Sequence, residues 1–358
     1  MDAVRFGYVG CGGIAQMVHL PNFATVPNMR FEAIAEVRPK LCAQIAAKYG
    51  IPKQYASHEE LCADREITAV GVSAPFETQG LIARDLLRAG KAVFMEKPMA
   101  VSIAQAEEIL AAEKEGGGRL MVAYMKRYDA GNELAKKYVA GFRKSGELGP
   151  VTYLRAHGFG GQQWTAGNSG TVISTDEKAP PPVQGHLPSW LPEKNRKGYV
   201  GYLQQYTHNL NLLRWLMDAG DISVRSVDFD AQDGMSGIVV LDVGGARAVI
   251  ESGGVTHWGW DEHTQVYFRD GWVRLESPPL LLKNTSARVE VYRAGTTQEL
   301  SQPMPAKPDE RWSWSYWREA AQFIECVRTG APFESSGRDT LHDVRAFEAI
   351  YRKYLGLD

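Results

Sequence analysis

The sequence predicts an α/β protein in which an N-terminal doubly wound parallel sheet precedes an α+β domain with a large open, mostly antiparallel sheet. Three observations predict it. From Val4 to about Tyr124, short β-rich runs alternate with helical stretches, the pattern of parallel strands joined by crossover helices. A glycine-rich turn follows the first of these runs and opens a helix. From Ser223 to Arg293 strands dominate, several joined by tight turns such as Arg269-Asp270-Gly271.

In the first region the β-rich runs are Arg5–Val9, Phe31–Glu36, Thr68–Ser73, Ala92–Met95 and Leu120–Tyr124. Between them Pro39–Tyr49, Glu77–Ala89 and Ile103–Lys114 have helix-forming composition, and Gly50 and Gly90 close two of these helices. Beyond Tyr124 a helix is expected near Asn132–Lys144, then a strand at Val151–Ala156. A segment rich in glycine and proline, Gly158 to about Gly201, reads as a long ordered loop. It leads into a helix from Tyr202 to about Met217. Strands follow at Val224–Phe229, Gly237–Val243, Arg247–Glu251, Gln265–Phe268, Trp272–Glu276 and Ala287–Tyr292, and helices at Ser315–Thr329 and Asp339–Tyr354 close the chain. The expected division is a dinucleotide-binding domain over residues 1–124 and a substrate-binding and oligomerisation domain over 125–358.

Bulk composition narrows the partners. With 358 residues the chain is long for one core and comfortable for two domains. Forty Lys and Arg against 42 Asp and Glu leave a formal charge of -2 with no like-charge block, which gives no electrostatic reason to expect nucleic acid or an anionic membrane as partner. No apolar run has transmembrane length and the opening is a strand rather than a signal, so a cytoplasmic location is expected. Cys11, Cys42, Cys62 and Cys326 form no C-x-x-C pair, which points to reduced thiols and no zinc knuckle.

The turn after the first strand, Gly10-Cys11-Gly12-Gly13-Ile14-Ala15, fits G-x-G-x-x-A. In such a Rossmann fingerprint Gly10 permits the tight turn, Gly12 lets backbone amides approach a pyrophosphate, and Ala15 lets the helix pack close to the strand. Glu36 ends the second strand about twenty residues on, where a carboxylate accepts from the adenosine ribose hydroxyls and repels a 2′-phosphate. NAD is therefore expected over NADP. Arg38, two residues later, keeps NADP open because its guanidinium stacks on adenine or attracts a phosphate.

Further along, an Ala89-Gly90-Lys91 run, a strand and Glu96-Lys97-Pro98 are followed by Arg127-Tyr128-Asp129, a helix bearing His208 and a closing Phe333-Glu334-Ser335-Ser336-Gly337. Together these resemble the Gfo/Idh/MocA family, the glucose-fructose oxidoreductase and inositol dehydrogenase relatives, over nearly the whole chain. The resemblance implies NAD(P) and a pyranose, cyclitol or related polyol substrate. It implies Lys97 and His208 as the catalytic pair, with Lys97 hydrogen-bonding the reacting oxygen and His208 taking its proton. Tyr124, Gln204, Tyr206 and Asn211 join Lys97 and His208 as expected substrate contacts; Ser73, Pro75, Gln79, Glu96, Lys97, Arg127 and Trp164 join the fingerprint, Glu36 and Arg38 as expected cofactor contacts. The chain departs from the family twice. Gln204 stands one turn before His208 where an Asp is usual, and a neutral amide supplies no charge to an imidazolium; Gln79 stands where a His is common.

His257, Asp261, Glu262 and His263 resemble metal ligands by type, but their irregular spacing favours a polar turn, and no metal is expected. Trp258, Trp260, Trp312, Trp314 and Trp317 are read as core or subunit-interface packing before sugar stacking. The segment from Gly158 is expected to wall the substrate, and an open antiparallel face to need cover by a homodimer or homotetramer. The reading is an NAD-dependent sugar, glycoside or cyclitol dehydrogenase. Its alternative is a redox-neutral enzyme whose tightly held NAD oxidises a glycoside transiently, for glycoside cleavage or sugar-to-sugar hydride exchange.

Overall fold

A computed structural model describes residues 3–254, 259–296, 298–304 and 314–358, apart from the side chains of Gln162 and Gln163. The first sheet contains β1 (Val4–Val9), β2 (Met29–Ala35), β3 (Lys53–Tyr55), β4 (Ala69–Val72), β5 (Ala92–Glu96) and β6 (Arg119–Ala123). All neighbours are parallel, in the order β3-β2-β1-β4-β5-β6. This is the Rossmann strand order, which reverses direction between β1 and β4 and opens a crevice beyond their C-terminal ends. Every residue of β4 and β5 is buried, as expected of parallel strands covered on both faces. The crossovers are α1 (Leu20–Phe23), reached through a π-helical turn Ala15–His19, then α2 (Pro39–Tyr49), α3 (His58–Ala63), α4 (Phe76–Arg88) and α5 (Ile103–Gly116).

Next comes α6 (Ala130–Ser145), whose first turn is capped by the Asp129 carboxylate accepting from the Gly131 and Asn132 amides. The second sheet contains β7 (Val151–Gly160), β8 (Ser223–Phe229), β9 (Gly237–Val243), β10 (Ala246–Gly254), β11 (Asp261–Phe268), β12 (Gly271–Glu276), β13 (Arg288–Arg293) and β14 (Gln298–Ser301). Its order is β14-β13-β12-β11-β7-β10-β9-β8, and among the described residues only β7 and β10 pair in parallel. Burial alternates along β7 and β10, so one face builds the core. On the opposite face Tyr153, Tyr267, Trp272 and Tyr292 form an aromatic row across four strands, with Trp272 stacked on Tyr292 at 4.2 Å. The remaining helices are α7 (Arg196–Leu216), α8 (Ser315–Thr329) and α9 (Gly337–Tyr354).

These elements divide into two compact units that do not follow chain order. One contains Met1–Ala123, Asn168–Ser189 and Tyr316–Val344; the other contains Tyr124–Gly167, Trp190–Ser315 and Arg345–Asp358. The expected loop from Gly158 to Gly201 is therefore not one element. Its start extends β7, its end belongs to α7, and residues 168–189 belong to the first unit. Gly198 and Gly201 weaken the helical signal at the start of α7. A Cβ at Gly198 would lie 2.7 Å from the Asp233 carbonyl oxygen, so close packing explains that glycine.

The short elements β3, α3 and β14 carry no long periodic pattern and were not expected. For α3 a signal existed in Ser57-His58-Glu59-Glu60: the Ser57 hydroxyl caps the Glu60 amide, and the Glu60 carboxylate accepts from Ala56. The expected polar turn at Asp261, Glu262 and His263 is instead the first part of β11. There His263 faces His157, whose two ring nitrogens meet the carboxylates of Glu251 at 2.6 Å and Asp261 at 3.3 Å. His257, Trp258 and Trp312 lie outside the described residues.

Trp314 and Trp317 are buried, and Trp317 donates to the Thr25 hydroxyl. In α8 the Glu319 side chain is wholly buried, and neither carboxyl oxygen has a hydrogen-bond partner among the described residues. Burial, with the Glu96 charge nearby, pushes its pKa well above the usual carboxylate range. A raised acid binds its proton more tightly when folded, so stability is lost as pH rises above the unfolded value near 4.5, at about 1.4 kcal/mol per unit. Glu319→Gln should therefore raise the melting temperature at pH 8, with the gain shrinking toward zero near pH 4.5, as measured by thermal unfolding across that range.

Candidate active site

The fingerprint turn in the first unit is built by contact with β4. Gly10 has φ +91°, and a Cβ there would stand 2.1 Å from the Ser73 carbonyl oxygen, so only glycine fits. A Cβ at Gly12 would meet nothing within 4 Å, which leaves its backbone open to close approach. Gly13 is exposed, Ile14 half-buried, and Ala15 fully buried against the strand side. An open Gly12 at the start of a helical turn suits a pyrophosphate.

Glu36 lies buried just beyond β2, and its carboxylate is already filled. Oε2 accepts from the Cys11 amide at 2.7 Å and from Arg38 Nη2 at 2.9 Å, while Oε1 accepts from Arg38 Nε at 2.7 Å and Arg38 N at 3.2 Å. A carboxylate offers about four acceptor directions, so ribose hydroxyls would gain Glu36 by displacing the Arg38 side chain. The Arg38 side chain is only partly buried.

Beyond β4 and β5 the predicted residues are each held by hydrogen bonds or by a cap position. Ser73 donates its amide to Val9 and accepts from the Tyr8 hydroxyl; Pro75 occupies the N-cap of α4. Gln79, fully buried, donates to the Glu96 carbonyl at 2.6 Å and accepts from Ala74. The Glu96 carboxylate points inward and meets His19 Nε2 at 2.7 Å. Gln79 and His19 therefore fix the Glu96-Lys97-Pro98 turn, whose Lys97–Pro98 peptide is cis. Desolvation lowers the Lys97 pKa, opposed by the Glu96 charge, so its ammonium releases a proton more readily than an exposed lysine.

In the second unit α7 carries His208 and Asn211 on a buried stretch, with His208 only 5% exposed. Asn211 accepts from Arg127 Nε at 2.8 Å, Thr207 shares a 2.8 Å hydrogen bond with the Tyr124 hydroxyl, and the Arg127 guanidinium stands 5.9 Å from the centre of the Tyr124 ring. Tyr124 and Arg127 are thus fastened to α7 through Thr207 and Asn211. Gln204, one turn earlier, is exposed. Tyr206 points to β10, donating to the Gly253 carbonyl at 2.8 Å, and burial pushes its pKa up to about 12. Trp164 sits 38% exposed in a 3-10 turn, Gln162–Thr165.

Several positions in these networks were not legible from spacing. Lys126 makes a buried 2.6 Å ion pair with Glu262, and Asn209 donates to the same oxygen. His19, Thr207 and Gln16 likewise matter through partners distant in sequence.

Residues 4–124 match the model of an oxidoreductase family described as having an NAD-binding Rossmann fold. The inositol 2-dehydrogenase of Rhizobium meliloti (strain 1021) is 24% identical, the match covering 98% of this chain and 96% of that protein. The aldose-aldose oxidoreductase of Caulobacter crescentus superposes with a TM-score of 0.74 at 21% identity, over 100% of this chain and 99% of that one. A levoglucosan dehydrogenase bound to NADH and levoglucosan gives 0.75 at 17% identity, over 100% and 98%. Over residues 4–124 the chain matches the Rossmann domain of the Gfo/Idh/MocA oxidoreductases. It carries an NAD-binding Rossmann domain, and the open Gly12 and the Glu36 carboxylate are consistent with that cofactor. Among the described residues no helix is long and apolar enough to cross a membrane.

Because Arg38 occupies Glu36 and its guanidinium is the kind of group that attracts a 2′-phosphate, Arg38→Ala should raise the preference for NAD over NADP about tenfold, the effect of one charge-assisted contact. Isothermal titration with both cofactors checks it; an unchanged ratio would remove Arg38 from cofactor discrimination.

Proposed function

We propose that this protein transfers a hydride between NAD and a CH-OH group of a sugar, glycoside or cyclitol. The observation carrying this reading is the dinucleotide turn, closed onto Ser73 at Gly10 and open at Gly12, in a chain that also carries Lys97 on a turn fixed by Gln79 and a buried His208. The names of its relatives, inositol 2-dehydrogenase and levoglucosan dehydrogenase, support the substrate class.

When bound, NAD supplies a two-electron hydride acceptor. Gly10, Gly12, Gly13, Ile14 and Ala15 would receive its pyrophosphate and Glu36 its adenosine ribose, with Ser73, Pro75, Gln79 and Glu96 as further contacts from the same unit, and Arg127 and Trp164 as the contacts that the family resemblance implies. His208 accepts the proton leaving the hydroxyl. Lys97 donates a hydrogen bond to the same oxygen and stabilises its developing negative charge, which a desolvated ammonium does more strongly than a hydrated one. Tyr124 and Asn211 hold the substrate with Arg127 behind them. Gln204 gives the imidazolium no counter-charge. Tyr206, its hydroxyl spent on Gly253, contributes by fixing α7.

The redox-neutral alternative, with hydride returned from the same cofactor, is favoured by the way residues 168–189 fasten onto the dinucleotide unit through Gln16 and α2. The aromatic row of the second sheet supports pairing of that open face with a second copy.

A panel of sugars, glycosides and cyclitols incubated with NAD, followed by NADH absorbance and product analysis, tests both readings. Lys97→Ala and His208→Ala should each lower kcat by about a hundredfold or more while NADH affinity stays within about twofold. Full activity in either variant would remove that residue from the chemistry, and no turnover of any panel member by the parent would reject both readings. Light scattering should give a dimer or tetramer that Trp272→Asp dissociates; a monomeric parent would reject the pairing.

A further inference from the structure

Residues 168–189 form part of the dinucleotide unit, although the residues flanking them in sequence belong to the other unit. Their attachments fall on three turns. After β1, Gln16 makes two hydrogen bonds to one residue: the Ile173 amide donates to Gln16 Oε1 at 2.7 Å, and Gln16 Nε2 donates to the Ile173 carbonyl at 3.0 Å. The same Nε2 donates to the Cys11 carbonyl at 2.8 Å, which ties the segment to the fingerprint itself. After β2, the Glu177 carboxylate accepts from the Lys40 and Leu41 amides at 2.9 and 3.0 Å, and Asp176 pairs with the Lys40 ammonium at 2.8 Å. After β4, the Val183 amide donates to Thr78 and the His186 amide to Glu77, each at 3.0 Å.

These three turns follow the C-terminal ends of the strands at the switch point, the place where an open α/β sheet binds its ligand. Glu177 is set for this place. Pro39, at the first helical position of α2, has no amide hydrogen, and Glu177 caps the next two amides from outside the helix. A segment stapled at β1, β2 and β4 spans the turns that a dinucleotide must contact, so its release requires those staples to open or the ligand to leave by another edge.

We propose that residues 168–189 are a strap that retains NAD, with Gln16–Ile173 and Glu177–α2 as its two main fastenings. This rests on the NAD-dependent reading above and deepens it: the strap makes NAD a slowly exchanging cofactor, and Gln16, Asp176 and Glu177 are residues that govern its residence time. Glu177 also places a negative charge at the start of α2, close in sequence to Arg38, which opposes a 2′-phosphate there.

The test uses the full chain loaded with NADH and chased with excess NAD in a stopped-flow fluorimeter. Glu177→Ala and Gln16→Ala should each speed NADH release by about tenfold, the effect of losing one charge-assisted or paired contact, with circular dichroism unchanged. Release rates within about twofold of the parent in both variants would overturn the strap. A second readout needs no variant: trypsin cleavage after Lys178 should slow several-fold when NADH is bound, and equal cleavage with and without NADH would overturn it. If a variant fails to fold, the trypsin comparison on the parent decides. Failure of the parent to bind NADH at all would instead reject the NAD-dependent reading.

Discussion

The buried contact between Glu96 and His19 is the constraint on which the rest of the dinucleotide unit depends. It joins the turn that follows β1 to the end of β5, residues 77 apart in sequence, inside a core that excludes water. A carboxylate left alone there would be costly, so both partners must be in place together. With Gln79 holding the Glu96 carbonyl from α4, the contact fixes the backbone from which Lys97 projects. The same burial that demands the pairing also desolvates the lysine and lowers its pKa. Structure and reactivity there have one cause.

The second unit solves a similar problem on a helix. Its α7 runs for 21 residues, yet nearly all of Tyr202–Leu216 is buried, including polar side chains that each need a partner. Thr207 and Asn211 find theirs on the turn after β6, Asn209 finds Glu262 on β11, and Tyr206 finds the Gly253 carbonyl on β10. The consequence is a His208 whose position is set by its neighbours on either side of the helix. A polar network of this kind favours one orientation of the helix over its rotated alternatives.

Much of this was legible. The Glu96-Lys97-Pro98 turn and His208 were legible through the family resemblance. The fingerprint is a local signal, because it is a run of adjacent residues whose chemistry is set by backbone geometry within one turn, and Glu36 is read from its spacing to that run. The long strands and helices were legible for the same reason, while β3 and β14, at the sheet edges, are too short to show a period. His19, Gln16, Lys126 and Glu177 were not legible as site residues. Their roles come from partners between 77 and 157 positions away, and nothing in their own neighbourhoods announces those partners.

By itself the sequence determined the class of the fold and the dinucleotide turn, since periodicity and short motifs encode what neighbouring residues must do, while Lys97 and His208 entered as what the family resemblance implies. Only the tertiary structure decided that residues 168–189 join the first unit, that Arg38 saturates Glu36, and that the Tyr206 hydroxyl donates to the Gly253 carbonyl. Those outcomes turn on which distant groups satisfy which buried or capping hydrogen bonds, a competition settled only when the whole chain is packed.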